Sequence, residues 1–74
     1  MEKKDVELIQ SLVAGDPELS RYWDEHQDLE RQLNDLQSRL HLSSDEEVEK
    51  KRLQKLKLAG KDRIMEILAR HRPH

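Results

Sequence analysis

The sequence contains no cysteine. That excludes a disulfide staple, thiolate chemistry and every cysteine-based zinc site. Aromatics are almost as scarce, with Tyr22 and Trp23 the whole supply. No apolar run is long enough to cross a bilayer, and the charged start Met1-Glu2-Lys3-Lys4-Asp5 lacks the basic-then-apolar pattern of a signal peptide. The expectation is a cytoplasmic protein with no membrane span. There is no Pro-rich or Ser-rich linker and no internal repeat to divide the chain.

What is present is charge. Of the 74 residues 41% are charged and 34% hydrophobic, yet 14 bases and 16 acids leave a net of only −2. That small net charge, with apolar residues that are periodic rather than scattered, argues against disorder. A chain this short is one domain at most and buries only a thin apolar seam. Such a seam ordinarily needs a staple or an oligomer. The expected staple is another protein chain, through a partner or through self-association.

The apolar spacing predicts three helices. Over residues 3–14, Val6, Ile9, Leu12 and Val13 fall three or four apart on one face, with Leu8 off that stripe. Gly15 follows as a stop that can take positive φ. Asp16 is the natural N-cap of the second helix and Pro17 suits its first position, where a missing N–H costs nothing. The second helix is expected over 17–40, with the heptad seam Leu19, Tyr22, His26, Leu29, Leu33, Leu36 and Leu40. His26 is its one polar member. His41-Leu42-Ser43-Ser44 breaks it, and Ser43 with Glu46, or Ser44 with Glu47, forms a capping box for a third helix over 44–70. The inner stripe of that helix reads as Val48, Leu53, Leu56, Ile64, Ile67 and Leu68. Leu58 and Met65 fall off the stripe as a second, weaker apolar face. Residues 71–74 form a short tail, and Pro73 ends any helix.

A short loop between two long helices makes them antiparallel neighbours. The expected fold is therefore all-α, an antiparallel, coiled-coil-like helical hairpin with a short N-terminal helix. Charge selects the same orientation. Residues 16–40 carry seven acids and three bases, whereas residues 50–72 carry nine bases and two acids. Antiparallel pairing lays the acidic half against the basic one and brings Arg39 to the acidic start of the third helix. In this register, residues whose numbers sum to about 86 lie opposite each other. Gly60 then faces His26, near Tyr22 and Trp23. A mid-helix glycine costs about 1 kcal/mol against alanine. Two readings stand side by side: Gly60 leaves room for one of these rings, or it is a tolerated defect on the outer face.

The segment Asp16-Pro17-Glu18-Leu19-Ser20-Arg21-Tyr22-Trp23-Asp24-Glu25-His26-Gln27-Asp28-Leu29 resembles the signature of the YdcH-like family of small bacterial proteins of unknown function. Leu42-Ser43-Ser44-Asp45-Glu46-Glu47-Val48-Glu49 and Lys57-Leu58-Ala59-Gly60-Lys61-Asp62-Arg63-Ile64 resemble it too, so the likeness covers roughly residues 6 to 69. It implies a short helical hairpin of bacterial origin and no established activity. Gly60 departs from the family, which tends to carry an apolar residue there.

Candidates for chemistry are few. His26, flanked by Asp24, Glu25 and Asp28, reads first as a seam histidine that fixes register, since no Ser, Cys or second His is placed to make it a catalytic base. His71 and His74 form an i, i+3 pair in a tail read as solvated. They fall short of the ligand count of a tetrahedral zinc site, and His41 belongs to the far end. No Gly-rich phosphate loop or nucleophile–base pair is present. No enzyme, cofactor, metal or small-molecule substrate is expected.

The expected function is a protein-interaction module or adaptor. Its candidate contacts are Ile9, Leu12, Val13, Tyr22, Trp23, Leu58 and Met65. Trp23 serves either as an exposed anchor or as a ring covered by helix one through Ile9, Leu12 and Val13. The alternative is a nucleic-acid-associated protein using the basic third helix, with Lys51, Lys55 and Lys61 as phosphate contacts. No aromatic platform for bases accompanies that basic run.

Overall fold

A computed structural model describes residues 2–72. Among them the element order is α1 (Lys3–Leu12), a 3-10 turn (Val13–Gly15), α2 (Pro17–Gln37) and α3 (Ser44–His71), with no strand. The chain is a helical hairpin of α2 and α3, with α1 folded back on its open end. No helix among the described residues is long and apolar enough to cross a membrane.

Local chemistry sets the joints. Asp16 is extended, at φ −134° and ψ 93°, and its Oδ1 accepts from the Leu19 N–H at 3.1 Å. The cap and Pro17 behind it start α2. The stop before them differs from expectation. Gly15 closes a 3-10 turn and takes no positive φ. The change of direction is made by extended Asp16 instead. At the other bend the Ser43 hydroxyl accepts from the Glu46 N–H at 3.1 Å, and Glu46 accepts from the Ser43 N–H at 3.0 Å. This reciprocal pair, followed by Asp45, Glu46 and Glu47 in the first turn, opens α3.

Helix α2 ends at Gln37, three residues before the expected Leu40. Ser38 turns its hydroxyl back to the Asp35 carbonyl at 2.7 Å, and the Arg39 N–H closes a tighter turn on Leu36. Leu40 therefore lies outside the seam and is 96% exposed. Arg39 bonds both Asp35 and Glu46, tying the end of α2 to the start of α3 as the charge pattern requires. The Glu30–Lys57 ion pair and the Asp16–His71 contact keep the same register, with numbers summing to about 86 along the hairpin.

The core is in two pieces. At the open end Ile9, Leu19, Ile64, Ile67 and Leu68 are buried together. At the loop end Leu33, Leu36 and Leu53 form a second cluster, edged by Leu29 and Leu42. The α3 seam departs from the expected stripe. Leu53, Lys57, Gly60, Ile64 and Ile67 follow the heptad steps of four and three that face α2, so Val48 and Leu56 fall outside it and are exposed. Between the two clusters the seam holds His26, Glu30, Lys57 and Gly60, a polar and partly empty layer.

Helix α3 also runs one residue beyond expectation, to His71. His71 Nε2 lies 3.4 Å from Asp16 Oδ2, and Arg72 bonds Asp5. The start of the expected solvated tail is thus pinned to α1 and to the α2 cap. Pro73 and His74 lie outside the described residues.

Candidate functional site

The middle of the hairpin is built around His26. It is 4% exposed, the one buried polar side chain among the described residues. One turn earlier on α2, Trp23 stacks on it with ring centroids 5.7 Å apart and planes 13° from parallel. On the opposite edge His26 Nε2 lies 3.4 Å from Glu30 Oε1, and the same carboxylate oxygen is 3.3 Å from Lys57 Nζ. Glu30 therefore couples the histidine to α3. His26 Nδ1 is buried with no hydrogen-bond partner among the described residues. Neutral imidazole fits this arrangement: Nε2–H donates to Glu30, and Nδ1 needs no proton. Burial holds the His26 pKa below its ordinary value, against the raising pull of Glu30 and with Lys57 and Lys61 lowering it further.

Gly60 stands in this layer on α3. A Cβ built there meets nothing within 4 Å. The reading in which glycine makes room for an aromatic ring is thereby corrected, since no ring of the described residues comes within that distance. Gly60 opens instead onto a groove of about 400 Å³ between the two helices. Tyr22 and Leu29 line it from α2, and Leu56 and Ala59 from α3. Glu25 and Asp28 contribute its acidic side and Arg63 its basic side. Exposed Arg21 lays its guanidinium over the Tyr22 ring, 5.1 Å from the centroid. On the other side of the seam a second, more polar groove runs past Asn34, Gln37 and Gln54 to Leu58.

Residues 19–68 match the family model described as Protein of unknown function (DUF465). The chain belongs to this family. The YdcH-like small proteins fall within it. The matched span holds the hairpin seam, both grooves and the whole His26 layer, whereas α1 lies outside it. No curated protein and no solved structure shows significant similarity to the chain.

Within this family fold, the expected contact residues separate. Ile9 is fully buried, and Leu12, Val13, Trp23 and Met65 pack half-buried against the same cluster. These five belong to the chain's own core or its edge. Leu8, read as off the stripe, joins them. Leu58 is 62% exposed, whereas Met65, two turns further along α3, packs half-buried against the open-end cluster, so only the Leu58 end of that second face is open. Tyr22 is half-buried, packed against the open-end cluster and lining the first groove. Lys51 and Lys55 are exposed, and Lys61 is half-buried near His26. His41 is exposed in the bend. Among the described residues no three His, Asp or Glu side chains gather as metal ligands.

Two features escaped the sequence reading: the Glu30–Lys57 bridge and the groove over Gly60. A signal for both was present. Counting back from Ile64 in heptad steps gives Gly60, Lys57 and Leu53, which places a cation and an absent side chain on the inner face.

Proposed function

We propose that this chain is a small non-catalytic protein-interaction module, acting in the cytoplasm. The supporting observation is the groove over Gly60. Leu29 and Leu56 border it, Leu56 is 44% exposed, and charges of both signs line its edges. An apolar strip rimmed by charge suits protein contact. His26 and Tyr22 line the groove, and no Ser, Thr, Cys or Lys is among its lining residues to act as a nucleophile. The test is affinity capture of the tagged chain from its own cells, with and without nuclease. A discrete protein that co-purifies through nuclease treatment, and is lost from a Leu56→Glu variant, supports this reading. Capture that vanishes with nuclease counts against it.

Nucleic-acid association is the second reading. Its support is that no acid among the described residues lies within ion-pair distance of Lys51 or Lys55, while Arg52 and Arg63 are paired within α3. It requires binding that weakens steeply with salt and falls when Lys51, Lys55 and Lys61 become Gln.

A further inference from the structure

We propose that the groove over Gly60 is the contact face for a second copy of this chain, in a parallel two-fold dimer. The proposal rests on the interaction-module reading and names its partner. Two observations carry it. The first is Gly60 itself. It sits mid-helix in α3, where glycine is unfavourable, and among the described residues no facing atom lies within 4 Å of a Cβ placed there. A glycine unused within the chain is accounted for by close approach from outside it.

The second observation is the arrangement of charge. Glu25 and Asp28 line the groove from α2, and Arg63 lines it from α3. A two-fold axis along the helices sets α2 of each copy over α3 of the other at the same height. Glu25 then meets Arg63 of the second copy, offset by about 3 Å along the axis, since residues 25 and 61 are level in the hairpin register. Leu29 meets Leu56 of the second copy, and α2 of that copy lies over Gly60. A two-fold across the helices instead lays α2 on α2, with Glu25 and Asp28 against their own copies. The groove is self-complementary in one orientation and self-repelling in the other.

Sedimentation equilibrium of the full chain between about 10 μM and 1 mM tests this. The wild type is expected to dimerise. Glu25→Arg and Arg63→Glu each set like charges together at both symmetric contacts, and each alone weakens the dimer about tenfold or more. Mixed in equal amounts the two variants regain the dimer, because at both contacts an arginine of the first variant then faces a glutamate of the second. Both positions are exposed, and circular dichroism of each variant reports the intact hairpin. A wild type that stays monomeric overturns the dimer. So does a mixture no tighter than its components. In either case capture of a different protein through the Leu56 face leaves the interaction-module reading standing, and failure of both experiments removes it too.

Discussion

Glu30 Oε1 lies between His26 Nε2, at 3.4 Å, and Lys57 Nζ, at 3.3 Å, so a single carboxylate oxygen serves the buried histidine and the facing helix. This relation governs how the hairpin responds to acid. The folded pKa of His26 lies below the unfolded value of about 6.5. The unfolded chain then binds the proton more readily, and stability is lost as pH falls through that value. Urea unfolding followed by Trp23 fluorescence at pH 7.5 and 5.5 measures the loss. His26→Leu, which completes the apolar seam, is expected to flatten the difference between the two pH values. An unchanged difference in that variant would assign the proton to another group.

Glu30→Gln reverses one contribution with a definite sign. Glu30 raises the His26 pKa, whereas Lys57 and Lys61 lower it. Removing the carboxylate depresses the histidine further. The acid-induced loss therefore grows, and its lower limit moves to lower pH. Nuclear magnetic resonance titration of the His26 ring protons reads the shift directly.

Gly60→Ala adds a methyl group to open space and replaces a poor helix former. The variant is expected to gain about 1 kcal/mol, a rise of roughly 4–8 °C in Tm for a domain of this size. The Trp23 emission maximum stays where it is, because no aromatic ring shares that space. The measurement belongs at low micromolar concentration, below the range over which dimerisation is tested.

Leu33 and Leu40 separate the seam from its apparent continuation. Leu33 is 4% exposed in the loop-end cluster and Leu40 is 96% exposed past the end of α2. Leu33→Ala is expected to cost about 2–4 kcal/mol, and Leu40→Ala less than about 0.5 kcal/mol. Chemical denaturation of both variants side by side compares them.

Ser43→Ala removes the hydroxyl that accepts from the Glu46 N–H at the start of α3. A loss of about 1 kcal/mol is expected for a cap of this kind. Ser44→Ala, which tests the other box that the sequence allowed, is expected to leave Tm nearly unchanged.

The legible parts of this fold were those where hydrophobicity and position agree. Leu19, His26, Leu33 and Leu36 lie on one strict heptad, and all four are buried. Asp16-Pro17 and Ser43 with Glu46 announced both helix starts through side chains that bond the backbone. In α3 the two signals part. Lys57 and Gly60 take the inward positions and carry no apolar mark, while Leu56, next door, carries one and faces out. The seam was lost where polar residues fill it. The groove was missed for a related reason: only the heptad count marks Gly60 as inward, and glycine brings no side chain to draw notice to it. Leu40 kept the heptad spacing, but the helix that would have turned it inward had already ended.

The polar layer at His26 and Gly60 leaves the two apolar clusters without shared side chains, so they are joined chiefly through the continuous backbones of α2 and α3. Separate packing allows separate breathing. The end holding Ile9 and Leu68 can lose α1 and fray from His71 inward while Leu33 and Leu53 stay locked, and the loop end can open with the reverse pattern. Amide hydrogen exchange would then divide each long helix at its midpoint into two protection classes, with residues near His26 and Gly60 exchanging through whichever half opens first.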